Sequence, residues 1–214
     1  MLLHRFSCPT LPHRRRQQRV KDTLRPIPYV NPSRCRQVHV QASSASVQPV
    51  LKEAAAFAPA TVANLGPGYD WMGCAVEGGG DVVVARALPD KPGQVVIEKI
   101  DGDNGRLTLD PTKNCIGIAA SETMKLIGNV SFGVSLTLQK GLPLGSGLGS
   151  SAASAAAAAW AVNGLFGEAA LSKRELILAG LEAEAAVSGY HADNVGPSLM
   201  GGFILIRWAH SFAR

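Results

Sequence analysis

The spacing of apolar and polar residues predicts strands and helices in alternation from about residue 50 onward. Short apolar or alternating segments bounded by glycine, proline or aspartate are typical of strands. Because Asp101 and Gly102 follow one such segment, we expect a hairpin there, with residues 107–109 as the return strand. Residues 188–198 are predicted as a loop. The segments predicted as strands are residues 54–58, 81–88, 94–100, 132–138 and 201–207.

Helices are predicted in three places between these strands. Residues 114–127 carry apolar side chains at helical spacing, and residues 150–164 are rich in alanine, which has the highest intrinsic helix propensity. Ser172 followed by Glu175 forms a capping box that predicts a third helix, running to about residue 187. The irregular alternation of strands and helices indicates an α+β fold.

The formal net charge of +5 is distributed unevenly along the 214 residues. Residues 1–50 hold nine Lys and Arg against one acid, whereas residues 51–214 hold 12 against 15 Asp and Glu, a formal charge of −3. Residues 1–46 are rich in arginine, contain serine and lack an uninterrupted apolar core, which predicts a disordered organelle transit peptide. A basic tail without a targeting role is the alternative.

The body of the chain argues against several classes of partner. An acidic body without a clustered basic face gives little reason to bind nucleic acid. The longest apolar stretch, residues 150–166, is shorter than the ~20 residues of a bilayer span, so no membrane partner is expected. Beyond residues 1–46 only Cys74 and Cys115 remain, which provide no disulfide framework and no metal-ligand spacing.

Residues 143–153 read Pro-Leu-Gly-Ser-Gly-Leu-Gly-Ser-Ser-Ala-Ala and lead into the alanine-rich helix. Glycine allows positive φ and close approach of the backbone to a ligand. A helix N-terminus offers unpaired N–H groups and a positive dipole end to an anion. The pattern therefore predicts a phosphate-binding loop. It lacks the lysine of the common P-loop, so the balancing charge must come from a metal or from residues elsewhere.

Two other interpretations of this loop are weaker. A dinucleotide-binding turn would need a strand after its helix, and here a second helix follows. A plain glycine connector is possible, but Ser146, Ser150 and Ser151 are the hydroxyls that a phosphate site would use.

Two other polar segments are candidate binding motifs. Taken alone, residues 64–70 are better explained by turn formation. Residues 191–194, His-Ala-Asp-Asn, could bind a small zwitterion or form a local turn, and no second ligand supports a metal at His191. Glu182 and Glu184 do not share a helix face, and one of them could hold Mg²⁺ beside a triphosphate.

In this order the three motifs resemble the superfamily of galactokinase, homoserine kinase, mevalonate kinase and phosphomevalonate kinase, the GHMP kinases. Residues 143–153 are similar to its phosphate loop. Residues 64–70 with Gly73, and residues 191–194 with Val195 and Pro197 after them, resemble the homoserine kinases. The resemblance implies a GHMP-kinase N-terminal domain of ribosomal-protein-like βαβ architecture. It also implies ATP-dependent phosphorylation of the side-chain hydroxyl of L-homoserine to O-phospho-L-homoserine, in threonine biosynthesis, with ATP and Mg²⁺ as cofactors.

The resemblance also implies roles for individual residues. Ser151 and Glu184 would bind the metal and, with Asp193 as a substrate-binding group, would form the catalytic set. The substrate would be held by Asn64, Asp70, His191, Asp193 and Asn194. ATP would be held by Asn114, near adenine, and by Pro143, Leu144, Gly145, Ser146, Gly147, Leu148, Gly149, Ser150 and Ser151.

The likeness suggests the extent of the domain and its setting. We expect residues 51–207 to form this domain and the start of the next, with a divergent tail at residues 208–214 and the second domain largely missing. A plant enzyme of the chloroplast stroma is implied, with the mitochondrion as the alternative, and a homodimer when the protein is full length. We expect little activity from the short form. A non-catalytic relic, an interaction protein or another small-molecule kinase of the superfamily are the alternatives.

Overall fold

A computed structural model describes residues 47–128, 130–167, 170–187 and 189–206. The predicted transit peptide, Arg207 and the predicted divergent tail lie outside the described residues. The mixture of strands and helices confirms the predicted α+β class. In chain order the elements are β1 (Glu53–Ala63), β2 (Met72–Leu88), β3 (Val95–Asp101), α1 (Cys115–Ile127), β4 (Gly133–Gln139), α2 (Ser150–Gly164), α3 (Lys173–Ala185), α4 (Ala192–Met200) and β5 (Phe203–Leu205).

The strands form one mixed sheet in the order β1-β2-β4-β3, with β5 added to β2. Only the β3–β4 pair is parallel among the described strands, and helix α1 connects the two as a βαβ unit. Helices α1 and α2 pack on the sheet. In β1, Ala56 and Ala58 are buried, whereas the neighbouring Phe57 is 58% exposed. The helices therefore cover one face of the sheet.

The predicted hairpin at Asp101 and Gly102 is wrong. Strand β3 pairs with β4, and residues 107–109 are not a strand. Instead the carboxylate of Asp103 accepts hydrogen bonds from the N–H groups of Leu107, at 2.9 Å, and Gly105, at 3.2 Å. These bonds lower the pKa of Asp103, with Leu107 as the main cause. They fold the segment back on itself, so it is not available as a return strand.

Helix α2 lies at the centre of the helical layer and has the predicted bounds. Twelve of its 15 residues are buried, because alanine allows β1, β2, α1 and α3 all to approach closely. Packing on every side fixes the position of its N-terminus, where the glycine loop ends. Within the described ranges, no helix is long and apolar enough to span a bilayer.

Helix α3 begins at the predicted capping box. The hydroxyl of Ser172 accepts a hydrogen bond from the N–H of Glu175, and the carboxylate of Glu175 accepts one from the N–H of Ser172, at 2.7 Å. The hydroxyl of Ser172, which also donates to that carboxylate, is the main cause of a lowered pKa for Glu175. The prediction of this helix start is confirmed.

Residues 192–200 form helix α4, so the loop predicted over residues 188–198 is wrong for most of its length. Pro197 lies inside the helix, where it leaves the carbonyl of Asp193 without its i+4 N–H donor. Tertiary packing compensates: Val195 is fully buried against Gly180 of α3, where a Cβ would lie 2.6 Å from the valine side chain. The helix is therefore maintained by its neighbours.

Candidate functional site

The glycine loop forms a left-handed cradle at the start of α2. Gly145, Gly147 and Gly149 have φ values of +74°, +74° and +59°. Gly149 is the N-cap, and no side chain caps the helix. The first N–H groups of α2 have no partner within the helix. Backbone donors and the positive end of the helix dipole are thus directed toward the loop, as in anion-binding sites.

Thr61 connects this loop to helix α4. Its N–H donates to the carbonyl of Leu148, at 3.1 Å, and its hydroxyl donates to Oδ1 of Asn194, at 2.9 Å. A Cβ on Gly149 would lie 2.0 Å from the hydroxyl oxygen of Thr61 and 2.9 Å from Oδ1 of Asn194. Only glycine leaves room for this three-way contact. Sequence reasoning missed Thr61, because a threonine inside a strand carries no motif signal.

A cavity of about 720 Å³ opens in front of the loop. Its size is within the range of small-molecule and cofactor sites. Of the predicted ATP-binding residues, Pro143 and Leu148 do not line it. The predicted site residues that do are Asn64, Asn114, Leu144, Gly145, Ser146, Gly147, Gly149, Ser150, Ser151, Glu184 and Asn194.

Two cations that the sequence analysis did not single out also line this cavity. Arg106 and Lys113 come from the segment between β3 and α1, and Lys113 lies 3.4 Å from the carboxylate of Asp110. They are positioned to supply part of the positive charge that the loop lacks without a P-loop lysine. They lie 30 or more positions before the loop, so no local sequence pattern associates them with it.

Asn114, expected near adenine, is a helix cap that lines the cavity. Its carbonyl oxygen accepts from the N–H of Ile116, at 3.2 Å, and its amide donates to the carbonyl of Thr108, at 2.7 Å. The side chain is 3% exposed and positions the cavity wall at the start of α1. Beside it, burial raises the pKa of the Cys115 thiol to about 11, so this part of the wall is uncharged at neutral pH.

The two acids of α3 have different environments. Glu182 accepts a hydrogen bond from the hydroxyl of Tyr190, at 2.7 Å, on the surface. Glu184 is 4% exposed and lines the cavity together with Ser151. A hydroxyl and a carboxylate oxygen suit Mg²⁺, which binds one or two protein oxygens and completes its shell with phosphate and water. No cluster of three or more His, Cys, Asp or Glu side chains able to hold a metal is present in the described part of the chain.

Asp70, His191 and Asp193 form a second group that does not line this cavity in the described structure. Nδ1 of His191 lies 3.5 Å from Oδ1 of Asp70. Burial raises the pKa of Asp193 against the opposing effect of His191, and Asp70 adds to the rise. Oδ1 of Asp193 is buried and has no hydrogen-bond partner among the described residues. This oxygen therefore keeps its capacity to accept a hydrogen bond.

Asn64 and Asn194 connect this second group to the cavity. The carboxamide oxygen of Asn64 accepts from the N–H of Asp70, at 2.7 Å, and both residues have left-handed φ, +58° and +63°. The side chain of Asn64 therefore closes the turn, as favoured for residues 64–70 in isolation, and also lines the cavity. The two groups of predicted site residues are adjacent.

Gly73, which follows this turn in β2, allows helix α4 to approach. A Cβ at Gly73 would lie 1.7 Å from the carbonyl oxygen of Asp193. This is the carbonyl that Pro197 leaves without an i+4 donor. The close contact of β2 with the first turn of α4 places Asp193 beside Asp70.

Comparison with known proteins identifies the family of this domain. Residues 114–202 match the family described as GHMP kinases N terminal domain. Over 175 residues the chain is 57% identical to homoserine kinase of Arabidopsis thaliana, an alignment covering 81% of this chain and 47% of that protein. The chain belongs to the GHMP kinase family. Homoserine kinase of Chloroherpeton thalassium is 42% identical over 165 residues, which cover 73% of this GHMP kinase chain and 51% of the relative.

Solved structures show the same relationship. The crystal structure of homoserine kinase from Cytophaga hutchinsonii matches with a TM-score of 0.68 and 43% identity, over 75% of this chain and 50% of that one. Mevalonate kinase of Methanococcus jannaschii matches with a TM-score of 0.56 and 17% identity, over 72% and 53%, and shows a shared fold. This GHMP kinase chain spans about half the length of the curated relatives it matches.

Proposed function

We propose that this chain is the ATP-binding part of a homoserine kinase, which transfers the terminal phosphoryl group of ATP to the side-chain hydroxyl of L-homoserine. The contact that joins Gly149, Thr61 and Asn194 supports the proposal most directly. It places the helix that carries the candidate amino-acid ligands against the phosphate loop, as transfer between two bound molecules requires.

The ATP phosphates would bind to the loop from Gly145 to Ser151. The N-terminus of α2 provides backbone donors and a partial positive charge. Arg106 and Lys113 add full positive charges from the segment between β3 and α1, which lines the same cavity. The adenine would lie toward Asn114, whose capped side chain gives that wall a fixed shape.

Ser151 and Glu184 would hold Mg²⁺, which neutralises charge on the phosphates when bound. Both residues line one cavity, and both offer the hard oxygen atoms that Mg²⁺ prefers.

Homoserine is a zwitterion, and the second group of residues offers carboxylates together with an imidazole that can donate a hydrogen bond. The buried carboxylate of Asp193 would receive the ammonium group, with Asp70 nearby. His191, which is the N-cap of α4 and makes no capping bond with its side chain, would face the carboxylate beside the unpaired N–H groups of the first turn. Asn64 and Asn194 would fix the orientation of the substrate between this group and the phosphate loop.

Catalysis in this arrangement is mainly positioning and charge neutralisation. Phosphoryl transfer needs the attacking oxygen held in line with the phosphate and little covalent chemistry from the protein. Asp193 therefore binds the substrate, and no residue of the described site is assigned as a dedicated base.

Binding of the two ligands tests the proposal on the 214-residue chain itself. By calorimetry we expect Mg-ADP to bind with Kd between about 1 μM and 1 mM, in the range of ordinary substrate affinities. Ser151→Ala should weaken Mg-ADP more than metal-free ADP, because it removes a metal ligand. L-homoserine should bind, whereas galactose and R-mevalonate should not.

The possible results separate the parts of the proposal. Absence of nucleotide binding would overturn the ATP assignment. Binding of mevalonate or galactose in place of homoserine would overturn the substrate assignment. Formation of O-phosphohomoserine is followed by phosphorus NMR with Mg-ATP, and we expect little turnover by this chain.

We also propose that residues 1–46 direct the protein to the chloroplast stroma, with the mitochondrion as the alternative. The composition of residues 1–46 and the 57% identity to a plant relative support the location. Residues 1–46 fused to a fluorescent protein should accumulate in the plastids of leaf cells. Fluorescence in mitochondria or in the cytosol would contradict the plastid assignment.

We propose in addition that the full-length protein is a homodimer. Its sedimentation in solution tests this, and a monomer would contradict it.

A further inference from the structure

A fully buried ion pair lies beneath the phosphate loop and has no part in the function proposed above. Asp81 of β2 and Lys140, which follows β4, are in contact through Oδ2 and Nζ, and their side chains are 0% and 1% exposed. Removing two charges from water is costly, and such a pair is often no more stabilising than apolar side chains of the same size. Its presence in the core suggests a role other than stability.

The remaining contacts of the pair go to the two ends of the loop. Oδ1 of Asp81 accepts from the N–H groups of Gly141, at 3.0 Å, and Leu142, at 3.1 Å, just before the loop. Nζ of Lys140 donates to the carbonyl of Ser150, at 2.6 Å, in the first turn of α2. Ser154 joins both members, because its hydroxyl lies 2.6 Å from Oδ2 of Asp81 and 2.9 Å from Nζ of Lys140.

The pair is not needed to hold the two strands together. Strands β2 and β4 are already in register through the backbone from Val82–Gln139 to Leu88–Gly133. The charges instead fix residues that lie beyond the end of the ladder. A lysine ammonium at the N-terminus of a helix is also unfavourable with the helix dipole, and Asp81 offsets this.

We propose that Asp81 and Lys140 are positioning residues that clamp the phosphate loop at both ends, so that its backbone donors are held in place before the nucleotide arrives. This inference depends on the proposed ATP site for its consequence. The clamp itself is a property of the loop and can be measured without a ligand. A preorganised loop binds more tightly because less conformational freedom is lost on binding.

Two double variants of the chain test the clamp. Asp81→Leu with Lys140→Met removes both charges and every bond to the loop. Asp81→Asn with Lys140→Met keeps a carbonyl oxygen that can still accept from Gly141 and Leu142. It removes the bonds of Lys140 to Ser150 and Ser154, so only the end of the loop at α2 is released. The control is Glu53→Gln with Arg86→Gln, which removes an exposed ion pair between β1 and β2, with side chains 53% and 48% exposed.

Amide exchange measured by NMR reads out the two ends of the loop separately. In the Leu/Met variant we expect exchange at Gly141, Leu142 and Ala153 to rise by about tenfold or more, with the interior of β2 and β4 unchanged. In the Asn/Met variant only Ala153, whose N–H donates to Gly149 at 2.8 Å, should become faster. The control should leave all three unchanged. Kd for Mg-ADP should rise at least tenfold in the Leu/Met variant and not in the control.

Each result bears on the clamp. Unchanged exchange at Gly141 and Leu142 in the Leu/Met variant would overturn it, and so would a uniform rise across the whole sheet. If the Leu/Met variant does not fold, slow exchange at Ala153 in the Asn/Met variant would overturn it equally. An unchanged Kd despite faster exchange would refute the link to nucleotide binding. If the unsubstituted chain binds no nucleotide, the proposed function fails, and the exchange data still decide the clamp.

Discussion

Gly149→Ala is expected to destabilise the chain by about 2–5 kcal/mol and to abolish nucleotide binding. Two causes act together. At φ of +59° a residue with a Cβ costs about 1–2 kcal/mol. The new methyl group would also lie 2.0 Å from the hydroxyl oxygen of Thr61, and overpacking of this kind costs about 1–3 kcal/mol. Relief of the clash must move β1 or the start of α2, so the cradle loses its shape.

Gly93→Ala is the matched control for this substitution. Gly93 has φ of +70°, and a Cβ there would meet nothing within 4 Å. It carries the same backbone penalty of about 1–2 kcal/mol without the clash, and it lies outside the cavity. Urea unfolding and calorimetry with Mg-ADP should therefore show a smaller loss of stability and unchanged affinity. Equal effects of the two substitutions would show that the contact with Thr61 is unimportant.

Local chemistry made parts of the fold predictable. The alanine run of α2 and the capping box at Ser172 are signals read within a few residues, and both elements begin where the sequence predicted. Long-range pairing gave no such signal. Strands β3 and β4 pair in parallel, and helix α1 lies between them in the chain. The turn-forming pair Asp101-Gly102 is a local signal that favours a hairpin, and this hairpin does not form.

Helix α4 shows that tertiary contacts can form a helix where local propensity disfavours one. Gly196 and Pro197 are poor helix formers, in agreement with the loop that the sequence predicts over residues 188–198. The helix forms because Val195 is buried against α3 and because Gly73 lets the carbonyl of Asp193 approach β2. None of these neighbours is close in sequence.

The candidate site was predictable where its residues form motifs. The glycine loop, Asn64 and Asn194 lie in motifs, and the resemblance that these motifs carry also implies Glu184. The structure brings most of the loop and these three residues to one cavity. Other residues of the same region carry no motif. Thr61 contacts Asn194 across 133 positions, and Asp81 contacts Lys140 across 59, so only the fold reveals them.

Asp193→Asn is expected to lower affinity for homoserine by roughly 30-fold or more, while the melting temperature stays the same or rises. The loss follows from removing one partner of a buried charge pair, which costs about 2–5 kcal/mol in binding. The unchanged or higher stability follows from the raised pKa of Asp193. Burial and Asp70 disfavour its charged form in the folded protein, so this carboxylate opposes folding fully above its folded pKa. The penalty declines as pH falls below that value and is gone below the unfolded pKa of about 3.9.

Asp103→Asn is the control, because its expected effect on the melting temperature has the opposite sign. The pKa of Asp103 is lowered by N–H donors, chiefly that of Leu107, so its carboxylate stabilises the fold above the unfolded pKa of about 3.9, and this contribution is lost as pH falls through the folded pKa. At pH 7 its asparagine variant should melt at a lower temperature, although Asp103 does not line the cavity. Thermal unfolding of both variants from pH 4 to 8, with homoserine titrated at pH 7, separates the roles. A lower melting temperature for the Asp193 variant at pH 7 would mean that this carboxylate stabilises the fold and would contradict the prediction. A higher one would mean that the carboxylate destabilises the folded protein, as expected for a group that functions in ligand binding.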